Sequence, residues 1–273
     1  MIGSETNNMT PTETRQNTAP VVIFTALAWE SAAVRAILQQ VRREEERVWR
    51  GFAGNTEILV VTGGIGPRRT QQTVERFAAP SFSAVLSIGC AGALVPGLSC
   101  GHLVLASDVC TPDTADTARL HRFAIDPQLF AYARAAAATA GVLASEGSLL
   151  TSPKILFTPE EKAQRGQETG AIAVEMESAV HAAFAVRRGL PFLTLRVILD
   201  GVDMRLPAIK GLTTPEGDVR TLKAAFHVAT HPHHLPALLA LKRARAIAGD
   251  AIRRLCHALL PLLAQFCTPF ARE

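Results

Sequence analysis

The chain has 273 residues, 48% hydrophobic and 19% charged, which suits one large globular domain with a sizeable core and excludes a disordered protein. A formal net charge of +4 is too weak to argue for a nucleic-acid partner, and 5% aromatic residues leave no platform for stacking bases. Cys90, Cys100, Cys110, Cys256 and Cys267 are an odd set without metal-binding spacing, so they predict reduced thiols in a cytoplasmic protein, with no metal.

Residues 1–19 carry Asn, Thr, Glu and Pro without an apolar run, so a disordered tail is expected there rather than a signal peptide, followed by a single domain over 20–273. No apolar stretch is long enough to cross a bilayer. Val21 to Thr25 (VVIFT) is continuously apolar, as in a strand buried on both faces. Ala33, Val34, Ile37, Leu38 and Val41 then share one side of a helix predicted from Glu30 to Val41. Glu57 to Thr62 reads as a strand ending in Gly63-Gly64-Ile65-Gly66, and Pro67 as the first turn of a helix running to Phe77. Ala84 to Ile88 is a third strand, ending in Gly89-Cys90-Ala91-Gly92-Ala93, and His102 to Ser107 a fourth. Asp126 to Ala140 is an alanine-rich helix; strands over Gly147–Leu150, Ala171–Val174 and Phe192–Leu199 complete the sheet.

The alternation predicts an α/β fold: a central mixed, mostly parallel sheet flanked by helices, with a C-terminal helical extension. Residues 204–273 are expected to form an insert or lid plus that helix, whose apolar positions recur from Leu238 to Leu262, with Gly249 and Pro261 as interruptions. His231, His233 and His234 read as a solvated loop rather than a metal site.

The glycine-rich strand exits allow backbone N–H groups to approach a ligand, but each alone is an ordinary turn. None is a Walker or dinucleotide fingerprint, so no nicotinamide or nucleoside triphosphate is implied, and no cofactor is expected. More telling is Ala171 to Asp203. Glu175 and Glu177 open a helix directly after one buried strand, and Asp200 ends the next strand, where open α/β sheets place their ligands. Singly, each acid has a structural reading as a helix-dipole partner or strand-end cap. Together they offer groups that hold sugar hydroxyls and donate a proton to a leaving base.

A-I-A-V-E-M-E-S at 171–178 with P-F-L-T-L-R-V-I-L-D-G-V-D at 191–203 resembles the motif pair of the nucleoside phosphorylase superfamily, and its 5′-methylthioadenosine/S-adenosylhomocysteine nucleosidase branch in particular. T-A-L-A-W-E at 25–30, T-G-G-I-G at 62–66, S-I-G-C-A-G-A at 87–93 and G-H-L-V-L-A-S-D at 101–108 agree in order. The resemblance implies a purine nucleoside N-glycosidic hydrolase. Asp200 would protonate N7 of the base and Glu30 would orient the attacking water. Glu177 would hold the ribose hydroxyls with Met176 packed against sugar and base. Glu175, Gly66, Cys90, Ala91, Gly92 and Phe157 would complete the binding site.

There are departures. Leu199 stands where the family has a small hydroxyl residue before the N7 acid, Ser87 where its phosphorylases have an arginine, and Cys90 where a serine is frequent. The depleted phosphate cradle favours water as nucleophile. Arg68 and Arg69 keep a phosphate-dependent phosphorylase as the alternative, with a non-catalytic nucleoside-binding homologue as the second. Beyond Asp203, R-L-P-A-I-K-G-L and H-H-L-P-A-L-L-A-L-K-R-A-R-A resemble the hopanoid-associated members, implying a lipid-tailed nucleoside such as adenosylhopane at the inner membrane surface. The competing expectations for the C-terminal helix are core packing or the interface of a homo-oligomer, a dimer with a closed two-fold contact.

Overall fold

The computed structural model describes residues 19–79, 81–113, 119–206 and 235–264. The tail over 1–18 and the histidine cluster at 231–234 therefore lie outside the described residues, as does most of the expected insert. The strands β1 (Val21–Thr25), β4 (Thr56–Thr62), β5 (Ala84–Ala93), β8 (Ala144–Thr151), β9 (Ala173–Glu175) and β10 (Phe192–Asp200) fall on the apolar runs. All five residues of β1 are buried, which explains the unbroken VVIFT: helices cover both faces of this strand.

The strands form one mixed sheet. β1 pairs in parallel with β4 and β5, and β5 in parallel with β10. β10 also pairs antiparallel with β6 (Leu103–Pro112), which continues in parallel to β8 and on to β9. β9 returns antiparallel to Gly92 and Ala93 of β5. The circuit β5–β10–β6–β8–β9–β5 is thus closed, so the ends of β5, β9 and β10 converge on one rim. That closure positions the site.

Several expectations need correction. β5 does not stop at Ile88 but runs through the glycine motif to Ala93. The glycines there make room for carboxylates: a Cβ on Gly89 would lie 3.0 Å from Glu30 Oε1, and one on Gly92 3.0 Å from Asp200 Oδ2. The first helix, α1 (Ala28–Arg35), is shorter than the apolar pattern suggested, and Val41 lies exposed on β2 (Gln39–Glu45). β2 forms an antiparallel meander with β3 (Val48–Ala53) and β4, and Arg50 on β3 bridges Glu44 and Glu57. An edge strand made of Gln, Arg and Glu carries no alternating apolar signal, because charge protects its open edge. The strand β7 (Leu120–Ala124), paired with β6, is a further strand that the sequence does not predict.

Helices α2 (Pro67–Glu75), α3 (Pro127–Thr139) and α5 (Ser178–Arg187) lie where expected. The helix α4 (Pro159–Thr169) was missed, although its start is written in T-P-E-E: Thr158 Oγ1 accepts from Glu161 N, and Glu161 Oε2 accepts from Thr158 N. Thr158→Ala is expected to cost about 1 kcal/mol, read as a lower urea midpoint at unchanged slope. The last helix, α6 (Leu235–Leu259), passes Gly249 unbroken against Trp29 and gives way to a 3₁₀ turn at Pro261. Its apolar stripe (Ala244, Ala248, Ile252, Leu255, Leu259) is buried in the main core, where α6 packs on α1, α3 and β10. Among the described residues, this stripe is core packing and not the lining of a lipid channel. No helix of the described residues is long and apolar enough to cross a membrane.

Candidate active site

The rim of the sheet holds a cavity of about 210 Å³. Glu30, Glu177 and Asp200, far apart in sequence, all line it, together with Glu175, Met176, Cys90, Ala91 and Gly92.

Glu30 lies in the first turn of α1 and is 1% exposed. Its Oε2 accepts from the backbone N–H groups of Ala26 (3.0 Å) and Leu27 (2.9 Å), and its Oε1 from that of Cys90 (2.9 Å). The carboxylate therefore occupies a ring of main-chain donors formed by the exit of β1 and the glycine segment of β5. Burial pushes its pKa up, against the donors that favour its charged form. The Cys90 thiol beside it is also held in the neutral form by burial.

Glu177 follows β9 and stands at the start of α5. Its Oε1 accepts from Gly66 N at 2.7 Å, reaching across to the exit of β4. Gly66 has φ of 92°, a conformation that turns its N–H toward the carboxylate and that other residues rarely adopt. Burial, with the negative charge of Glu175 next, pushes the Glu177 carboxyl up to about 8. Met176 lines the cavity between the two acids.

Glu175 touches the cavity wall, yet both its oxygens are already bound. They accept from Thr151 Oγ1 (2.5 Å), Glu177 N (3.0 Å), Ser178 N (2.8 Å) and Arg196 Nη2 (2.8 Å). Its place is at the helix terminus, neutralising Arg196, rather than on a ligand. Arg196 is 3% exposed, on the buried strand β10. It donates further to Ser87 Oγ (2.7 Å), Ser87 O (2.9 Å) and Ser178 Oγ (2.8 Å). Ser87 Oγ also meets His181 Nδ1 (2.8 Å); burial, with Arg196 nearby, keeps that imidazole well below its usual pKa and neutral, stacked on Phe24. Where the resemblance leads one to expect a phosphorylase arginine, Ser87 thus faces a guanidinium fully engaged with protein acceptors. Arg68 is exposed, and neither it nor Arg69 lines the cavity.

Asp200 ends β10 and is 6% exposed. Burial raises its pKa, and a lysine that sequence reasoning missed opposes this. Lys162 of α4, 1% exposed, donates from Nζ to Asp200 Oδ2 at 2.5 Å. Phe157 departs from expectation: Ile155 and Leu156 line the cavity, while the Phe157 N–H donates to Glu161 and its carbonyl accepts from Leu206 N. Of the remaining lining residues, Ala26, Leu27, Ile65, Val174, Leu199 and Leu206 are apolar, and Lys154 adds a further cation.

Carboxyl groups on a rim of converging strands, one in a ring of N–H donors and one at a strand end, form a candidate active site. Residues 20–220 match the family model of the phosphorylase superfamily, and the chain is an enzyme of that superfamily. Within it, the nucleosidases are its relatives. The chain is 30% identical over 200 residues to a 5′-methylthioadenosine/S-adenosylhomocysteine nucleosidase of Geobacillus thermodenitrificans, covering 65% of this chain and 82% of the relative. It is 29% identical over 165 residues to an aminodeoxyfutalosine nucleosidase of Helicobacter pylori, covering 56% and 72%. Two solved methylthioadenosine/S-adenosylhomocysteine nucleosidases share the fold. That of Streptococcus pneumoniae, in complex with a transition-state inhibitor, superposes with a TM-score of 0.68 at 19% identity, over 89% of this chain and 99% of that one. That of Neisseria meningitidis, with methylthio-immucillin-A, gives 0.64 at 22% identity, over 88% and 100%.

Proposed function

We propose that the protein hydrolyses the N-glycosidic bond of an adenine nucleoside carrying an apolar 5′ substituent. The observation that carries this reading is the Glu30 carboxylate seated in the N–H groups of Ala26, Leu27 and Cys90. A protein carboxyl group already fills the donor ring, so a phosphate nucleophile has no cradle there, while a water beside it has a base.

Cleavage passes through an oxocarbenium-like state, in which the base leaves with the bonding electron pair. Asp200, whose hold on a proton is strengthened by burial, gives that proton to N7 as that pair arrives. Glu177, which lines the cavity, holds the ribose hydroxyls. Glu30 takes a proton from the water that attacks the anomeric carbon. Met176 packs against the sugar. No metal or cofactor is needed for any of these steps.

The apolar walls contributed by Ile65, Ile155 and Leu206 suit a hydrophobic 5′ group. Each CH₂ of a longer chain buried there contributes about 0.8 kcal/mol. The relatives' names give methylthioadenosine as the short member of that class; the sequence resemblance beyond Asp203 adds adenosylhopane as the long one, met at the inner membrane surface. The test incubates the protein with adenosine, 5′-methylthioadenosine and an alkyl-extended analogue, with and without phosphate. Free adenine and free sugar in both buffers, and faster cleavage of the apolar substrates, are the expected outcome. Sugar 1-phosphate formed with phosphate would overturn the hydrolase reading in favour of phosphorolysis.

A further inference from the structure

The mechanism above leaves one buried cation of the cavity lining without a task. Lys162 sits on α4, a helix polar enough to pass for a solvated one, yet its side chain is 1% exposed and lines the cavity. Its ammonium has three protons to donate and three acceptors: Asp200 Oδ2 (2.5 Å), Met204 O (2.8 Å) and Gly201 O (2.9 Å). Gly201 O also accepts from Met204 N, closing the turn that follows β10. Two residues on, Leu206 is tied by its N–H to Phe157 O and forms part of the cavity wall.

Asp200 has no other polar partner among the described residues. β5 presents to it only the backbone of Gly92, where any side chain would crowd the carboxylate. The residue before it is Leu199, which offers no hydroxyl to orient it.

We infer that Lys162 is a positioning residue for the reaction: by tying Oδ2 of Asp200 and the turn 201–204 to α4, it leaves Oδ1 to carry the proton to the leaving base. The inference rests on the nucleosidase reading and adds to it the group that holds the acid. A carboxyl pinned through one oxygen presents the other in a fixed direction, and a misplacement of about 1 Å in such a group costs on the order of 100-fold in rate. The ammonium also acts on the acid's strength. Burial raises the proton affinity of Asp200, and Lys162 lowers it, making the proton easier to give away. Another titratable group that feels Asp200 is Cys100, on the turn before β6, whose thiol is pushed up by burial first and by Asp200 second, and so stays neutral; Lys154 shares the cavity lining. Asp203 and Arg205 lie on the turn beyond, and Glu30, Glu175 and Glu177 on the facing walls of the cavity.

The sign of the pH effect follows. A general acid works while protonated, so the rate falls as pH rises through its pKa. With the cation gone, Asp200 keeps its proton to higher pH but gives it up less readily. The experiment measures kcat and KM for 5′-methylthioadenosine across the pH range with wild type, Lys162→Met and Lys162→Arg, with thermal melting of each to verify folding. Lys162→Met is expected to lower kcat about 10- to 100-fold at neutral pH with little change in KM, and to move the alkaline limb to higher pH. Lys162→Arg, which keeps the charge, is expected to return the limb to the wild-type position. Should the Met variant not fold, Lys162→Gln carries the same expectation, because its amide still donates to the turn carbonyls.

A limb that stays in place when the charge is removed, or one that Arg does not restore, overturns the inference. So does an unchanged kcat. If Asp200→Asn is inactive while the Lys162 variants match wild type, this inference alone falls. If wild type cleaves no nucleoside, the nucleosidase reading falls and takes this inference with it.

Discussion

Asp200→Asn is expected to lower kcat for 5′-methylthioadenosine by about 10²–10⁴-fold while leaving KM within a few-fold. The amide has nearly the shape of the acid and can still accept from Lys162 through its oxygen, so the turn 201–204 and the cavity keep their form. What it lacks is a proton to give to N7. The wild-type enzyme should lose activity as pH rises through the raised pKa of Asp200, since only the protonated form donates. The Asn variant should show no such limb, because the group that titrates is gone. Rates with adenine nucleosides at several pH values, and binding of a non-cleaved analogue, measure both parts. A variant retaining more than about a tenth of the wild-type rate would remove Asp200 from the role of general acid.

How much of this was legible in the sequence depends on where each residue's partner lies. VVIFT, EILVVT and AVLSI announce buried strands because the central strands are covered on both faces. The acids Glu30, Glu177 and Asp200 were legible because each sits at a strand exit or helix start, and a parallel sheet gathers such ends on one rim. Lys162 was not legible: a lysine in P-E-E-K-A-Q-R looks like any solvated helix residue, and only its bonds to Asp200 at the end of β10 and to the carbonyls of Gly201 and Met204 reveal it as buried. Arg196 did leave a trace, since an arginine inside T-L-R-V-I-L-D interrupts an apolar run, and a buried guanidinium requires acceptors. Glu175 lines the cavity as its position beside Glu177 suggests, while its bonds to Arg196 and to the N–H groups of α5 were not legible. The paired identification of Glu175 with Arg196 was hidden because the partners sit on different strands, β9 and β10, brought together only through the ring.

The largest effect on stability should come from breaking that pair. Arg196→Met removes a guanidinium that satisfies Glu175 Oε2, Ser87 Oγ and O, and Ser178 Oγ, all in the interior beneath the cavity. Methionine fills similar space but donates nothing, so a carboxylate and two hydroxyls lose a partner where water does not reach. Removing one member of a buried ion pair typically costs about 3–5 kcal/mol, a large fraction of a domain's total stability of about 5–15 kcal/mol. Replacing both members is expected to cost less, because no charge is then stranded. Glu175→Gln combined with Arg196→Met keeps an oxygen to accept from Ser178 N and Glu177 N at the start of α5, while the buried charge disappears. Urea unfolding of the two single variants and the double variant forms a cycle whose coupling energy isolates the pair. The double variant should be more stable than Arg196→Met alone. A loss below about 1 kcal/mol in Arg196→Met, or a double variant less stable than either single one, would mean that the network around Ser87 and His181, rather than the ion pair, holds β10 to β9.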